Sequence, residues 1–497
     1  MRCSLGLSVL GVALAAPFAF AQEQAPKESD SYAIASVPGP ANAQLEVGGL
    51  GFAPDGSLFV CTRRGEVWVR RRVITRNPRT TGAAKPEFAW SLFAEGLHEP
   101  LGIHVVSTRE AIVAQRPELT RLKDTNNDGI ADEFTTVTAA FGVSGNFHEY
   151  HYGPVMDKAG NLYGTLNVGW TQHADSSVPY RGWAYKVTPE GKFVPLASGF
   201  RSPAGVGLSP DGDLFATDNQ GDWWPTSPLL HVRPGHFYGN PAGLRWEAGY
   251  AGPKDSYELP PATLEQRRTL PALWFVYGTL GHSPTEPVWD TTHGKFGPFA
   301  GQMFVGDQTN SAIMRIALEK VNGEYQGAAF AFRSGLSSGI TRMAMGPDNA
   351  LYVGGTDRGW GAIGGKPYAL ETVRFTGKIP FEMLAIDAQP DGFLIRFTEA
   401  ARAADPKNVV TITHHTYRYW RNYGSPHVDV TNVVPTSATW EDGGKAIRLR
   451  LPTMDASRVY TFKLRGITNE GGAALLHDEA YYTLTQVPRV AVTGAAP

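Results

Sequence analysis

The sequence predicts an all-β chain: a six-bladed β-propeller followed by a small immunoglobulin-like β-sandwich. Three observations lead there. A Pro-Asp-Gly-type turn followed by a bulky strand recurs at 53–60, 157–164, 209–216 and, as Pro-Asp-Asn, at 346–353. A second phrase, Gly-[Leu/Phe]-x-x-Pro-x-Gly-[Ile/Val], stands ahead of these turns at 96–103 and 199–206, with a shorter relative at 335–340. Two phrases recurring in one order at intervals of about 50 residues point to stacked blades. Beyond Pro380 both phrases stop, and short alternating strands separated by Gly-Gly turns take over.

The elements follow in chain order. Residues 1–21 read as an export signal: Arg2, an apolar core from Leu5 to Phe20, and Ala19 and Ala21 at a cleavage site. Residues 22–44 read as a linker. Blades centred near 55, 109, 158, 211, 301 and 348 occupy 45–378, and an insertion of about 240–285, rich in Pro, Gly, Trp and Tyr, caps one face. The sandwich takes 379–488 and a tail 489–497; the aromatic run at 417–424 is either a domain-interface cluster or a sugar-stacking surface.

Composition excludes several classes. A net charge of −2, from 45 basic and 47 acidic residues, supplies no basic stripe for nucleic acid. No stretch after the signal is apolar and long enough to span a membrane, so the mature protein is expected to be soluble and periplasmic or secreted. Cys3 leaves with the signal, and Cys61, within a strand-like run, is expected to be a buried small hydrophobe. The chain carries no Cys-x-x-Cys-His, which excludes a covalent c-type haem.

Three constellations could carry chemistry. Asp124, Asn126, Asp128, the Ile130 carbonyl and Asp132, with Gly129 at the bend, match an EF-hand-type calcium loop, although Thr135 stands where the bidentate Glu belongs. This reading puts the ion between blades, in a structural role. His148, Glu149 and His151 stand directly before the third repeat turn, where His is poised for proton transfer. Strand alternation would put Glu149 and His151 on one face, His148 and Tyr150 on the other. Arg201 opens the fourth blade as an anion clamp, and Asp218, Asn219, Gln220 and Asp222 beside Gly221 suit a cation or a hydroxyl-rich ligand. Trp223 and Trp224 would stack on a sugar ring, and the polar loops at 277–282 (ending at His282), 307–310 and 356–360 would join the same channel.

These residues resemble the soluble glucose/sorbosone dehydrogenase family over roughly 45–375, through the 199–206 phrase, the Pro-Asp-Gly turns and the Pro-Gly-His-Phe-Tyr-Gly-Asn-Pro run at 234–241. The whole chain, sandwich included, is also similar to exported bacterial propellers under the same family label. The resemblance implies a propeller that oxidises sugars with pyrroloquinoline quinone (PQQ) and calcium. It implies His148 as base, Arg201 toward the quinone, the Gln220–Gly221 backbone and Asp222 toward calcium, and Arg342 as a remaining cofactor cation. The chain departs from the pattern at Ser202 and Ala204, where the family has Asn and Gln. It departs again around Gln308 and Thr309 for a Lys, and at Gly339 and Thr341 for two Arg.

The expected function is an exported oxidoreductase of sugars or related alcohols, with a small-molecule or oligosaccharide substrate and a periplasmic electron acceptor. The alternatives are a lactonase or metal-dependent lyase built on His148, Glu149 and His151, or a non-catalytic carbohydrate-binding protein.

Overall fold

The computed structural model describes residues 25–73, 87–170, 176–402 and 405–489. The export signal at 1–21 and residues 490–497 of the tail lie outside them. Six antiparallel blades of four strands each form the first body, five as separate sheets and one as part of a larger sheet. Their innermost strands are Val47–Phe52, Ile103–Ser107, His151–Met156, Gly205–Leu208, Pro284–Trp289 and Ile340–Met345. Each contacts the next, and the last contacts the first, which closes a ring of six blades.

Both sequence phrases have a steric reason. The turn joins a blade's first strand to its second, and its third position adopts positive φ: Gly56 at 85°, Gly212 at 92°, and Asn349 at 59°. Glycine and asparagine tolerate that region best, and the turn's Asp accepts backbone N–H groups, as from Ser57 to Asp55 at 2.9 Å. In the second phrase the later glycine faces its neighbour blade at the axis. A Cβ on Gly102 would stand 1.6 Å from the Gly153 carbonyl, and one on Gly205 2.4 Å from Glu286 Cα. Only glycine lets adjacent inner strands approach so closely.

The stretch read as a linker holds a strand. Tyr32–Ser36 pairs antiparallel with Tyr368–Phe375 and completes the sixth blade, so the first and last parts of the propeller share one sheet. Tyr32 packs against Phe296, Phe299, Phe332 and Phe375 and donates to the Phe296 carbonyl at 3.1 Å. The insertion is also displaced from the expected 240–285. It lies inside blade four, between Pro228–His231 and Leu273–Trp274, and carries the helix Pro261–Arg267. Cys61 is fully buried, as its strand context implies.

The C-terminal body packs two four-stranded layers together, beside a short pairing of Ala401–Arg402 with Thr468–Asn469. One runs Met383–Gln389, Gly392–Phe397, Ala446–Arg450, Ser437–Glu441; the other runs Glu479–Leu484, Arg458–Leu464, Val410–Thr416, Val428–Val433. Phe393, Ile395 and Leu449 from the first meet Ile412, Phe462 and Tyr482 from the second in one core. Strand Glu479–Leu484 also pairs with the outer strand Glu324–Arg333 of blade five, giving a continuous eight-stranded sheet. Backbone hydrogen bonds and the shared core residues Ala328 and Phe330 therefore fix the sandwich to the propeller. Among the described residues no helix is long and apolar enough to cross a membrane.

Candidate active site

One end of the propeller axis opens into a cavity of about 320 Å³, with Tyr152 and Thr285 from inner strands among its lining residues. His148 forms one wall. Its Nδ1 lies 2.8 Å from the Val168 carbonyl, which can only accept, so Nδ1 carries the proton and Nε2 keeps its lone pair. Nε2 faces the cavity beside Ser202 Oγ at 3.1 Å. Burial pushes the imidazole pKa down to about 4, and Arg201 and Arg116 add to the depression while the Val168 carbonyl opposes it. The ring is uncharged at neutral pH.

Glu149 and His151 turn away from the cavity while His148 and Tyr150 line it, although His148 stands in a turn and the strand begins only at His151. Glu149 accepts from the N–H and Oγ of Ser144, both at 2.7 Å, and is buried. His151 is also buried, with Nδ1 on the Gln115 carbonyl at 2.6 Å and Nε2 on Tyr185 Oη at 2.5 Å. Neither lines the cavity, so of the three residues read as catalytic only His148 reaches it.

Buried carboxylates set the entrance loops. Asp218 accepts the backbone N–H groups of Arg201, Ser202 and Asn219, each at 2.7 Å. Asp307 does the same one blade on, for His282, Ser283 and Asn310. Desolvation lifts the Asp218 pKa to about 7 and raises that of Asp307. These braces place Arg201 and His282 on the cavity wall, where His282 pairs with Tyr277.

Two amides complete the wall near His148. Asn167 donates to Ser202 Oγ at 3.3 Å, and Asn219 to the Ser202 carbonyl at 2.7 Å. Their Oδ1 atoms are buried and lack a hydrogen-bond partner among the described residues. Buried acceptors left open in a cavity wall call for donors from a ligand.

The 218–225 loop is committed internally, which corrects the expected cation position. Asp222 receives Arg201 Nε at 2.6 Å on Oδ1 and Tyr257 Oη at 2.8 Å on Oδ2. The Gly221 carbonyl accepts from Trp224 and Gly424, and the Gln220 carbonyl faces Arg201 Nη1 at 3.5 Å. The oxygens expected to hold the ion, the Asp222 carboxylate and the Gln220 and Gly221 carbonyls, face N–H and O–H donors, so that position does not fit calcium. The expected anion clamp is accordingly an ion pair.

Arg342 is likewise corrected. It donates to the backbone carbonyls of Leu101, Ala204 and Thr341, a brace between inner strands, and does not line the cavity.

The tryptophans expected to stack are core residues. Trp223 and Trp224 are each 1% exposed, and Trp223 packs on Tyr419 of the sandwich. Their burial removes the support they lent to a sugar-binding surface. The exposed aromatics at the cavity are instead Phe147, Trp170, Trp360 and Tyr423. Tyr423 comes from the sandwich loop joining Val410–Thr416 to Val428–Val433. That loop is pinned by Tyr419 Oη on the Gly239 carbonyl at 2.5 Å, Trp223 N–H on the Trp420 carbonyl, and Ser425 N–H on the Pro225 carbonyl. The aromatic run at 417–424 is thus an interface cluster that also delivers one cavity residue.

Sequence reading missed Arg63 on the cavity wall, whereas Arg358 lies there within the 356–360 loop expected at the channel. Like Asp218, Arg63 stands one residue past the second strand of its blade, and that is the signal that could have found it.

The acidic loop at 124–132 joins Leu119–Lys123 to Glu133–Thr138 in blade two, and its Ala131 N–H donates to the Phe93 carbonyl of blade one at 2.7 Å. Asp124 accepts the N–H groups of Asn127, Asp128 and Gly129. Asp128 receives Asn126 and Ile130, and Asp132 receives Thr125. These bonds hold the turn, and among the described residues no three His, Cys, Asp or Glu side chains gather into a metal-holding group.

A family model described as a domain of unknown function (DUF7133) matches residues 89–359, more than half of the 497 residues. The chain belongs to that family. The DUF7133 match runs from the outer strand of blade one to the loop of Arg358, and so includes His148, Arg201 and His282. No curated protein matches the sequence.

Solved structures do align. The PQQ-bound aldose sugar dehydrogenase of Streptomyces coelicolor is 16% identical, with 69% of this chain and 98% of that one covered and a TM-score of 0.47. The soluble aldose sugar dehydrogenase of Escherichia coli, in its apo form, is 15% identical over 69% and 99%, at 0.46. A calcium structure from carbohydrate-active enzyme family AA12 of Trichoderma reesei is 12% identical over 71% and 97%, at 0.49. Sugar dehydrogenases of the kind the sequence motifs resemble are thus among the structural neighbours.

Proposed function

We propose that this protein is an exported oxidoreductase acting on a sugar or related alcohol, with His148 Nε2 taking the proton of the reacting hydroxyl. The observation that carries this reading is the wall around His148. An uncharged imidazole with a fixed tautomer points its lone pair into a cavity where Asn167 Oδ1 and Asn219 Oδ1 await donors. Trp170 and Trp360 offer ring faces at the rim to a sugar's apolar side. Ser202 holds Nε2 in place until a substrate hydroxyl replaces it.

A quinone of the PQQ type, whose carboxylates would meet Arg63 and Arg358, would supply the hydride acceptor when bound. Calcium does not fit the position expected for it in the 218–225 loop, and no step is assigned to it. Reconstitution of the full chain with the quinone, with and without calcium, tests the reading. Dye reduction with aldoses that is lost in His148→Ala supports it. No quinone binding and no dye reduction would sink it.

A second reading, hydrolysis of a sugar lactone or an elimination without a redox cofactor, is favoured by the occupied oxygens of that same loop. Product formation without any electron acceptor would select it. In both readings the export signal is the 1–21 segment. We also read the C-terminal body as immunoglobulin-like, because its sheets order their strands first-second-sixth-fifth and eighth-seventh-third-fourth, counting only the eight sandwich strands.

A further inference from the structure

The cavity has two chemically different ends. Near His148 the wall offers open acceptors, Asn167 Oδ1 and Asn219 Oδ1. Blades six and one lie across the ring from blades three and four, and there the wall is cationic. Arg63 and Arg358 line it, and none of the cavity's lining residues is an Asp or Glu.

The carboxylates that pair with these arginines stand outside the lining and are outnumbered. Glu99 is shared by Arg63, at 3.0 Å, and Arg116, at 2.5 Å. Glu46 is shared by Arg64, at 3.0 Å, and Arg358, at 2.7 Å. Four guanidinium groups and two carboxylates leave an excess of positive charge on that wall. A cleft with one sign of charge and low-dielectric walls focuses its field on whatever enters.

The accessible member is Arg358, its side chain 46% exposed. Two residues on stands Trp360, 48% exposed, its ring oriented by Nε1 donating to Thr309 Oγ1 at 2.9 Å. An anion on Arg358 would therefore bring an attached ring to Trp360. Arginine has donors and no acceptor, so this end cannot satisfy the donor half of a sugar hydroxyl. It suits a carboxylate.

Resting on the reading of the cavity as a carbohydrate site, we propose that its ligand is a sugar acid. The carboxylate meets Arg358 with Arg63 behind it, the ring lies on Trp360, and the hydroxyl end faces Asn167, Asn219 and His148. The shared chemistry is a small-molecule carboxylate, and a quinone cofactor is the other source the test must separate.

The experiment is calorimetric titration of the full chain with matched pairs: galacturonate against galactose and glucuronate against glucose, with PQQ as a separate arm. Each pair differs only in a carboxylate for a hydroxymethyl group. Each uronate is expected to bind about tenfold tighter than its neutral twin at low salt. The advantage should shrink toward equality near 0.5 M salt, as screening dictates. Arg358→Gln should abolish the advantage, bringing the ratio of the twins' affinities to about one. Trp360→Ala should weaken both members alike.

Equal binding of the twins overturns the sugar-acid proposal and leaves the carbohydrate reading standing. Arg358-dependent binding of the quinone with no uronate binding overturns it in favour of the cofactor. Failure of all the sugars to bind overturns both.

Discussion

The ring of Tyr423, carried by the C-terminal sandwich, lies 5.3 Å from the guanidinium carbon of Arg201 on the propeller wall. Trp170 approaches the same carbon at 5.2 Å from blade three. The sandwich therefore supplies part of the site. Tyr423→Ala should weaken ligand binding by about 1–2 kcal/mol, roughly five- to thirtyfold, with little change in melting temperature. Calorimetric titration checks this, and unchanged affinity would make the sandwich loop a brace only.

His148→Ala should lower turnover by roughly 10²–10⁴-fold while ligand affinity changes little, because the imidazole handles a proton. Ser202→Ala, which frees Nε2 without removing it, should have a much smaller effect. Steady-state kinetics of the two variants separates base from scaffold.

Trp223 and Trp360 should part company. Trp223→Ala empties a fully buried site and should destabilise the fold by about 3–5 kcal/mol. Trp360→Ala, at an exposed ring, should leave stability within about 0.5 kcal/mol and reduce binding. Denaturant unfolding and titration on both variants give the comparison.

Tyr32→Ala should open the sixth blade. Its ring touches four phenylalanines and its strand forms the outer edge of that sheet, so a loss of about 3–5 kcal/mol is expected. Hydrogen exchange should rise first along Tyr368–Phe375, its pairing partner.

Stability should peak between two limbs. Burial lowers the His151 pKa to about 3, so below pH 6.5 the unfolded chain binds the proton that the folded one refuses, and stability falls as pH drops toward 3. His477 behaves oppositely: Glu382 and Glu28 outweigh its burial and raise its pKa to about 9. Its contribution is complete below pH 6.5 and vanishes as pH rises through 9. The His151 limb is worth on the order of 5 kcal/mol and the His477 limb on the order of 3 kcal/mol. Thermal melts across pH should show a maximum near 6.5, and His477→Gln should flatten the alkaline side and also part of the acid side, because His477 helps hold the Glu28 pKa down to about 2.

The blades were legible because each phrase reports a local steric demand, positive φ at the turn and a missing Cβ at the axis. The outer strand of blade six was not, since Tyr32–Ser36 gains its partner only when the ring closes. His148 was legible from its place before the third repeat turn. Arg63 was not singled out, although like Asp218 it stands one residue past a second strand, and Arg358 was reached only as part of the 356–360 loop.

Paired Trp223 and Trp224 looked like a stacking surface, yet the sandwich and the insertion of blade four cover them. By itself the chain's local pattern determined the all-β class, the repeat and the position of the candidate base. Only tertiary packing decided which aromatics face solvent, which carboxylate neutralises Arg201, and that a residue more than 200 positions along, Tyr423, completes the wall. The reason is range: turn geometry depends on a few adjacent residues, whereas burial and charge pairing depend on segments that meet only in the folded chain.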